Sequence, residues 1–135
     1  MEKKIKIFSD GGARGNPGPA AAAAVLMNHE GEVLAEVSKY MGTATNNQAE
    51  YTALIIGLEK AKELKAEEID MFMDTELAVK QLKGEYKVKN PELAKLFVKV
   101  WNLSQGFDKV TYNHVRREYN KEADALVNNT IDANL

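Results

Sequence analysis

One long helical segment stands among short segments of strand-like alternation, and this order constrains the fold more than any other feature of the sequence. Residues 46–65 carry apolar side chains three and four positions apart, which is typical of an amphipathic helix. Asn47 and Glu50 fit a capping box at its start. Alternation predicts strands over 4–9 and 69–73. The alanines of 20–27 favour a helix, but the segment is short and alternation follows the turn after it, so we predict a hairpin of two strands over 20–27 and 32–41.

Turn and cap signals bound the other predicted elements. The glycine-rich stretch 11–19 predicts a turn, because its two prolines exclude a regular element. The elements bounded by such signals are a helix over 76–83, a helix from Asn90-Pro91 to Gly106 with its apolar stripe ending at Trp101, a strand over 109–115 and a helix over 120–130. The order β-β-β-α-β-α-α-β-α predicts an α/β fold, a mixed sheet with helices on its faces.

Length, charge and cysteine content exclude several classes of protein. A chain of 135 residues fits one domain, so we expect residues 1–135 to form a single domain. Eighteen lysines and arginines against twenty acids exclude nucleic-acid binding by bulk positive charge. The absence of cysteine excludes a disulfide scaffold, a thiolate metal site and cysteine catalysis. No signal peptide or membrane-spanning stretch is visible, and we expect a cytoplasmic monomer with no membrane partner.

Four acids lie where the predicted elements begin or end. Asp10 and Asp74 end the first and fourth strands, Glu50 lies in the first turn of the long helix, and Asp124 lies in the first turn of the last helix. The carboxyl ends of neighbouring parallel strands share one sheet edge, where the two aspartates would meet and the helices would add the other acids. Such a cluster attracts hard divalent cations, among which magnesium suits oxygen ligands best.

Each acid also has an ordinary structural interpretation. Asp10 fits a turn before two glycines, Glu50 fits a capping box, and Asp74 and Asp124 fit positions favoured at helix starts. Glu50 borders the apolar face of its helix, which favours a role inside a site. Spacing alone therefore leaves both interpretations of the four acids open.

Four motifs decide between these interpretations by resemblance. In order, they are residues 8–19 (FSDGGARGNPGP), 45–50 (TNNQAE), 74–77 (DTEL) and 115–118 (VRRE) with Asn120 and Ala123-Asp124. Their sequence and spacing resemble the type 1 ribonuclease H family from the first strand to the last helix. The resemblance implies the ribonuclease H-like fold, a five-stranded mixed sheet in the order 3-2-1-4-5 with helices on both faces.

The resemblance also implies an activity. The enzyme would cleave the RNA strand of an RNA/DNA hybrid, leaving 5′-phosphate and 3′-hydroxyl ends. Asp10, Glu50, Asp74 and Asp124 would be the catalytic and metal-binding acids that hold two magnesium ions, with manganese as a possible substitute. One ion would activate the attacking water, and the other would stabilise the departing 3′ oxygen.

Substrate contacts follow from the same motifs. The family contacts 2′-hydroxyl groups, which distinguish RNA from DNA, with residues that match Glu50 and the backbone of Gly11, Gly12 and Ala13. Further matches form two groups: Asn16, Asn46 and Asn47 for the minor groove, and Thr45 with Asn90 for a pocket that holds a DNA-strand phosphate. Ordinary turn and cap roles remain an alternative for these asparagines.

The sequence departs from many family members at three places. The segment 82–90 is short where many bacterial members carry a long basic protrusion, and no hybrid-binding domain is expected at either end. The loop 116–121 has no histidine, and Arg117 is the candidate to take its role, while His114 and His29 are interpreted as structural. The bases that flank the motifs predict a local phosphate-facing patch with a shallow salt dependence: Arg14, Lys83, Lys87, Lys89, Arg116, Arg117 and Lys121.

Three other functions fit parts of the same sequence. The glycine-rich loop lacks both nucleotide-binding signatures, and its prolines prevent it from running into a phosphate-cradling helix. A non-catalytic hybrid-binding module would not need all four acids. A nuclease of the same fold acting on DNA alone is disfavoured by the Gly-Asn-Pro-Gly turn and the Thr-Asn-Asn run.

Overall fold

The predicted order of strands and helices is confirmed in the computed structural model, which describes residues 3–135. A 3₁₀ turn at Arg117–Tyr119 precedes the last helix. The elements are β1 (Lys4–Ala13), β2 (Gly18–Met27), β3 (Val33–Ala44), α1 (Asn46–Glu63), β4 (Glu68–Met73), α2 (Glu76–Leu82), α3 (Pro91–Ser104), β5 (Lys109–His114) and α4 (Lys121–Ala133).

The five strands form one mixed sheet in the order β3-β2-β1-β4-β5, as the family resemblance implies. β1 runs antiparallel to β2 and parallel to β4, and β4 runs parallel to β5. Ser9 on β1 pairs with Met73 on β4. The residues that follow this pair, Asp10 and Asp74, therefore lie side by side, and Asp10 remains in the sheet opposite Ala23 of β2.

Helices cover both faces of the sheet, and the alanine-rich strand β2 lies between them. The side chain of Ala24 belongs to the core beneath α1 and α3, whereas Ala21 and Ala23 pack against Val127 and Ile131 of α4. Small side chains on β2 let both layers of helices approach closely. The burial of this strand on both faces explains why its sequence is a continuous apolar run without alternation.

The predicted capping box of α1 is wrong in its residues. Thr45 is the N-cap, its hydroxyl accepts from the backbone N–H of Gln48, and the Gln48 side chain accepts from the N–H of Thr45. Gln48 is therefore the capping-box residue that the sequence pattern predicted to be Glu50. The Glu50 carboxylate is consequently available for other contacts.

Two strand boundaries also differ from prediction. β1 continues past Asp10 to Ala13, and β2 begins at Gly18, so the glycine-rich stretch is partly strand. Pro19 lies at the start of β2, where a missing N–H is tolerated and its carbonyl accepts from the N–H of Arg14. Trp101, predicted on the buried stripe of α3, is 55% exposed.

No helix between residues 3 and 135 combines the length and apolar character needed to cross a bilayer.

Candidate active site

The four predicted acids line a single cavity of about 270 Å³. β1 and β4 bring Asp10 and Asp74 to the same sheet edge, the first turn of α1 brings Glu50, and the first turn of α4 brings Asp124. The convergence predicted from the ends of the elements is therefore present. The predicted residues Gly11, Gly12, Ala13, Asn46 and Arg117 line the same cavity.

Gly11 permits the close approach of α1 to β1. A Cβ atom at this position would overlap the backbone of Ala49 and Glu50. Because only glycine leaves this space empty, the helix backbone sits directly against the strand beside Asp10. Gly11 thereby sets the separation between the strand that carries Asp10 and the helix that carries Glu50.

Asn120 attaches α4 to the other side of the site. Its side chain is fully buried and donates from Nδ2 to the backbone carbonyl of Ser9 over 2.8 Å. The backbone carbonyl of Asn120 accepts from the backbone N–H of Asp124 over 3.1 Å. One residue therefore connects the strand position before Asp10 to the helical turn that carries Asp124.

The pKa of the Asp10 carboxyl is raised to about 8, chiefly by burial and then by the charges of Asp74 and Asp124. Its protonated form also shares a hydrogen bond with Asp124. Burial likewise raises the pKa of Glu50 to about 7, although a hydrogen bond from the Thr75 hydroxyl opposes the shift. At neutral pH, protons therefore occupy part of the cluster when no cation compensates its charge.

Two arginines lie at the rim of the cavity. Arg14 donates from Nη1 to Asp132 of α4 over 2.5 Å and reaches Asn128 through Nη2, so its charge is already engaged. Arg117 is exposed in the 3₁₀ turn and lines the cavity from the opposite side. His114 ends β5 opposite Met73 and does not line this cavity.

A second cavity, of about 290 Å³, lies where α1 and α3 begin. Four of the predicted substrate residues line it, namely Asn16, Thr45, Asn47 and Asn90. Gln48, Glu92 and Leu93 complete the lining. Asn46 is directed elsewhere, since its Oδ1 accepts from the N–H of Ala13 over 2.8 Å. Asn16 accepts from the N–H of Asn46 over 3.1 Å, so these two asparagines also hold the 14–18 turn against α1.

Known proteins share both the sequence and this architecture. Residues 8–130 match the family described as reverse transcriptase-like. A protein named ribonuclease H from Prosthecochloris aestuarii is 33% identical over 99% of this chain and 99% of its own length. The chain belongs to the ribonuclease H family.

Two further relatives are similar to this chain in sequence and in structure. The bifunctional protein Rv2228c of Mycobacterium tuberculosis is 46% identical over 96% of this chain, which spans 36% of that protein's length. The solved N-terminal RNase H domain of that protein gives a TM-score of 0.94 and covers 98% of this chain and 96% of its own. LC11-RNase H1, solved in complex with an RNA/DNA hybrid, is 42% identical with a TM-score of 0.92, covering 96% of this chain and 97% of its own.

The donor set of this cavity fits magnesium better than a softer metal. The four acids supply oxygen ligands alone, and burial, followed by the charge of neighbouring acids, raises the pKa of Asp10 and Glu50. Between residues 3 and 135, no three His, Cys, Asp or Glu side chains form a ready-made metal cage. Magnesium keeps several waters and takes one or two carboxylates together with substrate phosphate oxygens, so it does not require such a cage.

Two residues that position the acids, Thr75 and Asn120, are not among the site residues predicted from the sequence. Thr75 bonds to Glu50 and caps α2, and Asn120 bonds to Ser9, although each appeared in the sequence only as part of a motif. An asparagine before a helix normally caps it, but Asn120 makes no capping bond with its side chain. Its complete burial is the signal of another role, and that signal is absent from a single sequence.

Proposed function

We propose that this ribonuclease H hydrolyses the RNA strand of RNA/DNA hybrids with two divalent metal ions and leaves 5′-phosphate and 3′-hydroxyl ends. The observation that carries the proposal is the convergence of four carboxylates, from two strands and two helices, on one cavity. The hybrid bound to LC11-RNase H1, a relative of nearly the same length, supports the substrate class. Residues 1–135 would act as one catalytic domain.

The acids would hold magnesium, with manganese as a possible substitute: Asp10, Glu50, Asp74 and Asp124. When bound, the ions supply positive charge to the scissile phosphate and lower the pKa of an attacking water. Asp10 and Glu50 hold protons near neutral pH and release them when a cation takes their place. Gly11 and Asn120 keep the strand and helices in register around the reacting phosphate.

Recognition of RNA would depend on the same cavity. Glu50 and the backbone from Gly11 to Ala13 line it and would contact 2′-hydroxyl groups, which the DNA strand lacks. Asn16, Asn46 and Asn47 would contact the minor groove. The second cavity would take a phosphate of the DNA strand, with Thr45 and Asn90 as donors. Exposed Arg117 would approach the RNA backbone at the rim.

Cleavage of matched substrates tests this proposal. Labelled RNA/DNA hybrid, single-stranded RNA and duplex DNA are incubated with magnesium and with manganese, beside the Asp10→Asn variant. We expect the wild-type protein to cut the hybrid alone and the variant to cut nothing. Ends are read by ligation, which requires a 5′-phosphate. Intact hybrid under every divalent condition would refute the enzymatic function, and equal cleavage of duplex DNA would refute the substrate.

Two expectations from the sequence complete the proposal. The protein would act in the cytoplasm, which cell fractionation with an antibody tests. It would act as a monomer, and light scattering of the protein with and without a short hybrid gives its mass directly.

A further inference from the structure

The second cavity offers neutral hydrogen-bond donors for a phosphate. The Thr45 hydroxyl accepts from Gln48 and keeps its own hydrogen available, since it donates to none of the described residues. Asn90 accepts from the N–H groups of Glu92 and Leu93 through Oδ1, which leaves its amide N–H groups directed away from α3. Those two backbone donors are consequently engaged. The phosphate would be held by side-chain donors.

The charge of this cavity is opposite to what a phosphate requires. Among the described residues that line it, Glu92 is the one with a full charge, and that charge is negative. A carboxylate and a phosphodiester repel each other across such a space. The cavity therefore needs a cation from outside its own lining.

Lys95 forms an ion pair with Glu92, which lines this cavity. A neighbouring cavity of about 330 Å³ shares Gln48 and Glu92 with it and is also lined by Lys95 and Thr43. The Lys95 Nζ lies 3.5 Å from Oε1 of Glu92, one turn earlier on α3. Both side chains are largely exposed, at 75% and 67%, so the ion pair between them is weak and Lys95 can leave it.

We propose that Lys95 supplies the positive charge for the DNA-strand phosphate in the second cavity, and that Glu92 opposes it and limits how tightly the hybrid is held. This inference rests on the proposed function, because it assigns two more residues to the phosphate pocket of that function. In the free protein, Lys95 pairs with Glu92. When the hybrid binds, the ammonium turns to the phosphate, and Glu92 is left beside the entering anion. Both residues act on binding and neither touches the scissile phosphate.

Steady-state cleavage of a labelled hybrid separates binding from chemistry. We expect Lys95→Gln to raise KM by about threefold to tenfold and Glu92→Gln to lower it, with kcat within about twofold in both. Lys99→Gln removes an exposed lysine one turn further along α3, outside both cavities, and serves as the matched control. A KM for Lys95→Gln equal to that of Lys99→Gln would overturn the inference.

The double variant Glu92→Gln/Lys95→Gln tells whether Lys95 contacts the phosphate or merely neutralises Glu92. A direct contact leaves the double variant with a higher KM than Glu92→Gln alone. If the two values coincide, Lys95 acts through Glu92 and the direct contact is refuted. Binding in calcium across a salt series adds a second readout, in which loss of one phosphate contact reduces the slope of log K against log salt by about 0.9.

A neutral linkage in the DNA strand locates the contact. Hybrids carrying one methylphosphonate at each successive DNA position are bound in calcium, and we expect one position to weaken binding to wild type more than binding to Lys95→Gln. Equal weakening in both proteins at every position would refute the inference. A wild-type protein that cleaves no hybrid would instead refute the proposed function, and the two failures are therefore distinguishable.

Discussion

Replacing Asp10 with asparagine is expected to stabilise the protein while it abolishes cleavage. The amide has the same shape as the carboxyl and still donates a hydrogen bond to Asp124, but it carries no charge to be buried. In the folded protein the pKa of Asp10 is about 8, against 3.8 for an exposed aspartate. The unfolded chain therefore loses this proton first. Between these two pH values, the free energy of unfolding falls as pH rises.

The size of the gain follows from the shift in pKa. A pH of 7 lies about three units above the pKa of this carboxyl in the unfolded chain. Each unit corresponds to about 1.4 kcal/mol, so the gain in the free energy of unfolding has an upper limit of about 4 kcal/mol. Solvent at the half-buried site and adjustment of the neighbouring acids reduce this value, so we expect roughly 1 to 3 kcal/mol. For a domain of this size, each kcal/mol raises Tm by about 3 to 4 °C.

Thermal unfolding in EDTA, followed by circular dichroism between pH 4 and pH 8.5, measures this gain. The difference in Tm between Asp10→Asn and wild type should grow with pH up to about 8 and vanish near pH 4. Asp108→Asn removes an exposed aspartate far from the cavity and serves as the control for net charge. A gain that is absent at pH 8, or equally large at pH 4, would refute burial of the Asp10 charge as its cause.

Three further predictions concern the same site. Gly11→Ala forces β1 and α1 apart, because its Cβ would overlap the backbone of Ala49. We expect the free energy of unfolding in urea to fall by about 3 kcal/mol or more and cleavage to be lost, and a free energy within about 0.5 kcal/mol of wild type would contradict the packing. Asn120→Ala removes the buried hydrogen bond to the Ser9 carbonyl. We expect the free energy of unfolding to fall by about 1 to 3 kcal/mol and magnesium to raise Tm less than in wild type, whereas an unchanged rise in Tm would refute a positioning role for Asn120. Magnesium added at pH 7 should release roughly one proton per protein, detected with an indicator dye in weak buffer, and no release would contradict the raised pKa values of Asp10 and Glu50.

Local patterns in the sequence determine the elements and the position of the acids along them. Alternation over 4–9 and 69–73 needs no partner to be recognised, because side chains on a strand point to opposite faces with a period of two. The long helix, the cap at Asn90-Pro91 and the order of elements follow in the same way. The sequence predicts Asp10 and Asp74 at the ends of two parallel strands, and although β1 continues to Ala13, the two aspartates meet once those strands are neighbours.

Contacts between residues far apart in sequence decide the remaining features. The capping box uses Thr45 and Gln48 instead of Asn47 and Glu50, because packing against β1 places Glu50 in the cavity. Trp101 is exposed because α3 packs on α1 through other side chains.

The properties of the site are likewise tertiary. A sequence shows which residues carry charge, but desolvation depends on what surrounds each charge, so the raised pKa of Asp10 appears only in the folded chain. The negative charge of the second cavity is equally invisible in the sequence, because Glu92 joins Thr45 only when α1 and α3 meet. Local sequence determined which groups this protein brings to its chemistry, and long-range packing decided their protonation, spacing and mutual charge.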